Sequence, residues 1–307
     1  MTGLCEGRVV VVTGAGGGIG RAHALAFAAE GATVVVNDLG GSRDGQGNSA
    51  GPAQAVVDEI TAAGGEAVAN ADDVSSWDGA QRLIGQAIER FDGLDVLVNN
   101  AGILRDKMLV NMSEAEWDAV IKVHLKGTFA PTRHAASYWR DKSKAGDAVD
   151  ARVINTTSPS GLFGNQGQAN YGSAKAGIAG FTIIAAGELG RYGITVNAIA
   201  PTALTRMTED LPVMGEISKQ EEGGFNTLAP ENIAPLAVWL GSAESRDVTG
   251  RVFSVWGGRI TVAEGWVGGP HADRDRPWKP AELGSVIPDL VGKAAPNADM
   301  SGTRQPS

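Results

Sequence analysis

Tyr171 and Lys175 stand four places apart in the run QANYGSAKAG, residues 168–177, and every residue between them is small. A phenol keeps its proton at neutral pH, because its ordinary pKa is about 10. To exchange that proton with an alcohol or a carbonyl it needs help, and an ammonium within about 4–6 Å favours the phenolate. Positions i and i+4 of a helix share one face, so the Lys175 ammonium is expected beside the phenol, lowering its pKa. Gly172, Ser173 and Ala174 leave room there for a ribose and a flat ring. Alone, a Tyr and a Lys at this spacing are also what an ordinary helix surface carries. Ser158 changes the balance. It ends an apolar run, and a hydroxyl at such a strand end can hold a substrate oxygen against the phenol.

A frame must bring these groups together. RVVVVT (8–13), TVVVND (33–38), EAVANAD (66–72), LDVLVNN (94–100), ARVINTTS (151–158), GITVNAIAP (193–201) and RVFSVWGG (251–258) read as seven strands. Helical patterns fall between them: 19–30, AQAVVDEITAAGG with its closing glycines, 76–91, 113 to about 140, 168–190 and 231–241. Ser113 and Glu116 are spaced as a capping box. Strands apolar on both faces, alternating with helices, predict an α/β fold. The expected form is a single Rossmann-type, doubly wound, parallel seven-stranded sheet with helices on both faces, covering residues 1–260. Residues 261–307 turn to Pro, Gly, Asp and Trp and read as a C-terminal extension, its last part, AAPNADMSGTRQPS, expected to be disordered. DKSKAGDAVDA (141–151) reads as an exposed loop.

TGAGGGIGRA (13–22) follows the first strand and opens the first helix. Gly14, Gly18 and Gly20 let the backbone approach a pyrophosphate, while the helix start, with Ile19 inside it, offers free N–H groups and a positive dipole end. Asp38 closes the second strand, where a carboxylate can accept hydrogen bonds from ribose hydroxyls and repel a 2′-phosphate. Arg43, in the following loop, is the one nearby cation that points the other way. The expected cofactor is therefore NAD, not NADP, with no metal. NNAG (99–102), after the fourth strand, is placed to line the same crevice.

The formal charge of −9 argues against nucleic acid or an anionic membrane as partner. The lone cysteine, Cys5, leaves no internal disulfide, and no stretch of ~18 apolar residues is present, so a cytoplasmic location is expected. AGIAGFTIIAAGELG (176–190) is too apolar for a solvated helix and points to a homodimer or homotetramer.

TGAGGGIG, NNAG and Ser158 with Tyr171-x-x-x-Lys175 together resemble the short-chain dehydrogenase/reductase family over the first 260 residues or so. The resemblance implies hydride transfer at C4 of a nicotinamide, with Tyr171 exchanging the proton and Ser158 orienting the reacting oxygen. It implies that Lys175 binds the nicotinamide ribose, that Asp73 and Val74 contact the adenine, and that Asn100 lines the adenosine side. Two positions depart from the family pattern. His124, in VHLKGTF, stands where the family usually has an asparagine whose backbone holds a relay water; its carbonyl can do the same, its imidazole can join the relay, or it is a packed helix residue. In PTALTRMT (201–208), Arg206 stands where a threonine is usual, so the carboxamide is expected to be held by backbone near Leu204, with Thr205 or Thr208 supplying a hydroxyl.

VVVNDLGG, NNAGILRDKM, VHLKGTF, GLFGNQGQANY and IAPTALTRMT further resemble one subgroup, the D-3-hydroxyacyl-CoA dehydrogenase domain of peroxisomal D-bifunctional protein and its bacterial single-domain relatives. That implies a small-molecule substrate, a (3R)-3-hydroxyacyl-CoA or a hydroxysteroid. Residues 202–230 are expected to form a lid, and Arg105, Lys107 and Arg206 to meet the CoA phosphates. Trp256, Trp266 and Trp278 either cover the pocket or pack at an interface. A 3-oxoacyl-carrier-protein reductase is the alternative enzyme, and a non-catalytic nucleotide-binding module is the alternative outside catalysis.

Overall fold

In the computed structural model of the chain, which describes residues 3–42, 44–47, 49–204 and 224–304, alternate residues of each central strand enter opposite cores. In β1 (Val9–Thr13) Val10 and Val12 join one buried cluster and Val9 and Val11 the other. In β2 (Thr33–Asn37) Val34 and Val36 oppose Val35, and in β4 (Val96–Asn99) Val96 and Val98 oppose Leu97. The unbroken apolar runs thus have a cause: both faces are covered. One cluster takes Phe27 of α1 (Gly18–Ala29), Val56 and Ile60 of α2 (Gly51–Ala62), and Leu240 of α8 (Ala234–Gly241). The other takes Leu83 of α3 (Trp77–Phe91), Trp139 of α5 (Gly127–Ala145) and Ala185 of α7 (Ala169–Leu189).

The sheet order is β3 (Ala67–Asn70), β2, β1, β4, β5 (Ala151–Thr156), β6 (Ile194–Thr202), β7 (Val252–Trp256) and β8 (Arg259–Ala263). All pairs are parallel except β7 with β8. The sheet therefore has eight strands instead of the expected seven. Gly257, at φ 53°, and Gly258 close a two-residue hairpin that pairs Trp256 with Arg259 and returns the chain along the edge. A boundary at residue 260 falls inside that last strand. Strand order reverses between β1 and β4, so a crevice opens beyond the C-terminal ends of those strands, the usual ligand position in such sheets.

Amide and hydroxyl side chains tie the crevice strands to the helices beneath. Asn99 donates to Thr132 Oγ1 and to Asn155 Oδ1, each at 2.9 Å, and Asn155 donates to Thr182 Oγ1 at 2.9 Å. This links β4 and β5 to α5 and α7, which carries Tyr171 and Lys175. The long helix expected from residue 113 is interrupted. α4 (Glu114–Ile121) passes through a π-helical turn (Lys122–Lys126) before α5 begins, and the turn holds His124 in the core. The capping box is present: Ser113 Oγ accepts from the Glu116 N–H, and the Glu116 carboxylate accepts from the Ser113 N–H at 2.9 Å. Ser113→Ala is expected to lower stability by about 1 kcal/mol in denaturant titration, with an unchanged m-value.

Beyond β8 the chain forms α9 (Leu283–Lys293) and then a turn closed by an Ala298–Arg304 bridge. Asp299 accepts from the N–H groups of Ser301 and Thr303, and Gly302 adopts φ 79°. Local turn chemistry therefore orders residues 298–304 where composition alone pointed to disorder. Most of the expected lid, residues 205–223, lies outside the described residues.

Candidate active site

The cleft at the strand ends has a volume of about 1500 Å³. Its first wall is the turn after β1. Gly14 and Gly18 adopt φ 62° and φ 53°, values that favour glycine. A Cβ on Gly20 would lie 2.1 Å from Gly14 O, so α1 starts hard against the turn. Gly17 is the helix N-cap and no side chain caps it, which leaves first-turn N–H groups around Gly18, Ile19 and Gly20 facing the cleft. A diphosphate suits this turn in shape and in charge.

Asp38 lines the same wall. Its Oδ2 accepts from Gly16 N at 2.8 Å and its Oδ1 from Gly40 N at 2.7 Å, so two backbone donors fix its carboxylate at the cleft. Asp73 and Val74 line the cleft beside it, and Asp73 also accepts from the backbone and the hydroxyl of Ser75. Asn100 lines the cleft but uses its amide inward, donating to Thr13 O at 3.0 Å and Gly14 O at 3.1 Å. It buttresses the glycine turn. Thr13 was not singled out by sequence, yet its hydroxyl accepts from the N–H groups of Asn100 and Ala101 and joins β1 to the NNAG loop. Arg43 lies outside the described residues.

The second wall carries Ser158, Tyr171 and Lys175, which the structure brings together. Ser158 caps the short helix α6 (Pro159–Phe163), and a Cβ on Gly161 would come within 2.6 Å of Lys175 Cβ, so α6 presses directly on α7. Lys175 is buried, donates from Nζ to Thr156 O at 2.6 Å, and holds Nζ 5.6 Å from the Tyr171 ring centroid. A hydroxyl, a phenol and an amine on one wall can bind the oxygen of an alcohol or ketone and pass a proton to or from it.

Their electrostatics differ from expectation. Burial drives the Tyr171 pKa up to about 12, against the pull of the Ser158 hydroxyl, and the Asp106 carboxylate pushes it the same way as burial. Burial also drives Lys175 down to about 7. Burial thus works against the charged form of both groups, raising the phenol and lowering the amine.

His124 is buried in the π-helical turn. Burial, and then the charge of Lys175, lower its pKa to about 3, so it stays neutral near pH 7. Its Nε2 lies 2.8 Å from Ile103 O, its ring meets Tyr171 edge-on at 5.1 Å, and a Cβ on Gly102 would lie 2.3 Å from its Cε1. The imidazole props the NNAG loop and the phenol and does not titrate with them. The Leu204 N–H donates to Leu228 O at 2.7 Å, while the wall itself is made by Pro201, Thr202 and Ala203. Thr205, Arg206 and Thr208 lie outside the described residues.

The cleft is partly built from the tail: Phe163, Trp256, Val262, Met300 and Gly302 line it, together with Arg259, Glu264 and Arg304. Trp266 is fully exposed, and Trp278 lies 4.2 Å from the Arg274 guanidinium. Arg105 lines the cleft, with its Nε donating to Asp44 O at 3.0 Å; Lys107 is exposed. Among the described residues no cluster of His, Cys, Asp or Glu is suited to a metal, and no helix is long and apolar enough to cross a membrane.

Residues 8–213 match the family described as short chain dehydrogenase. The chain is 46% identical over 309 aligned residues to the hydroxyacyl-CoA dehydrogenase ChsB1 of Mycobacterium tuberculosis, covering 97% of this chain and 93% of that one. It is 48% identical to the peroxisomal hydratase-dehydrogenase-epimerase of Neurospora crassa over 83% of this chain and 27% of that protein, so it spans about a quarter of that relative. The crystal structure of a short chain dehydrogenase from Mycobacterium avium superposes with a TM-score of 0.87 at 62% identity, covering 97% of this chain and 99% of that one. With a glycine turn that fits a dinucleotide and Ser158, Tyr171 and Lys175 on the facing wall, the chain belongs to the short-chain dehydrogenase/reductase family, oxidoreductases that act on CH–OH donors with a nicotinamide dinucleotide.

Proposed function

We propose that this chain uses NAD to interconvert a (3R)-3-hydroxyacyl-CoA and its 3-oxoacyl-CoA. The observation that carries this reading is the likeness, over nearly the whole of both chains, to a protein named as a hydroxyacyl-CoA dehydrogenase. The cleft supports it: besides the polar proton-transfer wall its lining includes Phe163, Val262 and Met300, apolar side chains that an acyl chain can meet. A hydroxysteroid is the second substrate class that can meet the same apolar side chains. The cofactor supplies the hydride acceptor or donor, which no side chain of the protein can. Ser158 holds the substrate oxygen, Tyr171 gives or takes its proton, and Lys175 binds the nicotinamide ribose. Asp73 and Val74 border the adenine. Arg105 lines the cleft and Lys107 is exposed beside it in sequence, and these two cations are proposed to meet the CoA phosphates; Lys122, Arg251, Arg259 and Arg304 also line the cleft. A homodimer or homotetramer is the proposed assembly, since Ile183 and Ile184 of α7 are 53% and 62% exposed in the single chain.

NAD is favoured because the Asp38 carboxylate is held at the cleft by Gly16 and Gly40, where a 2′-phosphate would meet a fixed negative charge. Initial rates with both cofactors on a panel of 3-hydroxyacyl-CoAs and hydroxysteroids test the reading. NAD is expected to exceed NADP in kcat/KM by about 100-fold or more, and Asp38→Ser to shrink that ratio at least about tenfold. Faster turnover of NADPH with a 3-oxoacyl carrier-protein thioester would overturn it in favour of a reductase.

A further inference from the structure

The loop that follows β2 and the loop that follows β4 meet, although β1 stands between their strands. Neighbouring strands lie about 4.8 Å apart, so the two loops start roughly 10 Å from each other, on either side of the glycine turn. Their contact closes that gap. Arg105 Nε donates to Asp44 O at 3.0 Å. A Cβ on Gly45 would lie 3.1 Å from Ile103 Cγ2 and 3.8 Å from Ile103 Cβ, so Gly45 sits directly on that side chain. Ile103 is 7% exposed, which makes its side of the contact a fixed point of the fold. The loop after β2 is shaped to reach it. Ser49 N donates to Leu39 O at 2.9 Å and closes its base, and Ser42 N donates to Gln46 O at 2.8 Å and closes its tip. Gly45, at φ 84°, turns that tip. The base rests on Asp38, which accepts from Gly40 N on one oxygen and from Gly16 N, in the glycine turn, on the other.

We infer that this loop is a strap across the dinucleotide crevice, latched at its tip by Arg105, and that the dinucleotide enters and leaves only when the strap lifts. Arg105 is then a positioning residue, acting on the cofactor through Asp44. The inference rests on the reading that a nicotinamide dinucleotide lies at the glycine turn, and it does not depend on the substrate. Gly41, Ser42 and Gly45 line the same cleft as Gly14, Gly18 and Gly20, so the strap borders the place that fits the diphosphate. It is held on both sides of that place, at Asp38 on one and at Ile103 and Arg105 on the other. The latch is also one that can open. Its hydrogen bond is exposed to water, which can replace it at small cost. Gly45 brings no side chain to the contact, so the tip leaves Ile103 without exposing much apolar surface of its own.

A reversible lock tests the strap. The 3.8 Å between a Cβ at position 45 and that of Ile103 is the usual separation across a disulfide. Gly45→Cys combined with Ile103→Cys can therefore be closed with oxidised glutathione. Cys5, the one native cysteine, is buried and its pKa is pushed up to about 11, so it stays out of the exchange. NADH binding and release are followed by stopped-flow fluorescence with no substrate present. The oxidised pair is expected to bind and release NADH at least about tenfold more slowly than the same chain reduced with dithiothreitol. Comparing one chain with itself cancels the strain that a side chain meets at φ 84°. Arg105→Leu, which removes the latch without a cysteine, is expected to release NADH about fivefold faster, with association changed less. Equal rates for the locked and the reduced pair overturn the inference, even where Arg105→Leu weakens binding, because a lost charge alone does that. A pair that stays reduced shows that the two loops do not meet, and overturns it as well. An unaltered chain that binds no NADH refutes the cofactor reading itself, and the strap falls with it.

Discussion

Tyr171→Phe is expected to lower kcat for alcohol oxidation by about 1000-fold, with dinucleotide affinity changed by less than about threefold. The variant removes one oxygen and leaves the ring in place. The ring packs edge-on against His124 and beside Ile103, Val120 and Ala174, contacts that phenylalanine keeps. The Ser158 hydroxyl loses a partner but stays at the start of α6, where it accepts from Ser160 N at 3.2 Å. The glycine turn and Asp38 stand on the opposite wall and are untouched, so cofactor binding by fluorescence titration should hardly move. What disappears is the group that exchanges the substrate's proton. With the phenol raised to about 12, the unaltered enzyme is expected to oxidise faster as pH rises across the neutral and mildly alkaline range, since the base form is the scarce one. The residual rate of Tyr171→Phe should lose that slope. A variant that keeps both the rate and the slope would show that another group moves the proton.

Much of this site is legible in the sequence because its parts are chemically distinctive and sit where strands stop. Val9 to Val12 can only be a strand covered on both faces, and the glycines that follow can only be a turn that something approaches closely. Once the strands are placed, Ser158 and the start of α7 fall on one side of the sheet without further information. The sign of an electrostatic effect is not legible in that way. The spacing of Tyr171 and Lys175 gives their proximity, but whether the ammonium lowers the phenol or burial raises it depends on how deeply the tertiary packing buries both groups, which spacing does not show. Which of its three readings His124 takes is hidden for the same reason: titration near neutrality belongs to a solvated imidazole, and this one is 1% exposed. The bond from the Leu204 N–H to Leu228 O is equally hidden, because a backbone N–H shows nothing in the sequence of where it is spent. In the tail, Asp299 and Gly302 are the turn-forming residues that a composition average hides.

The dryness that governs Tyr171 also makes Lys175 costly to the fold, and Lys175→Met is expected to trade activity for stability. Lys175 is 3% exposed and its pKa falls from 10.5 to about 7 through burial. In the unfolded chain the amine is protonated throughout that interval, so the unfolded state binds more protons and stability rises with pH between about 7 and 10.5. At neutral pH the penalty is on the order of 4 kcal/mol. Its hydrogen bond to Thr156 O offsets part of this, and methionine fills the same space without the charge or the bond. The variant should therefore be more stable than the parent by about 2 kcal/mol at pH 7. The gap should be widest below pH 7 and close as pH approaches 10.5, where the parent no longer loses a proton on folding. Oxidation by the variant should fall by about 100-fold or more in kcat/KM. Denaturant melts of both proteins across that interval decide the matter, because a purely structural lysine predicts the reverse order: the variant less stable, by an amount that does not depend on pH.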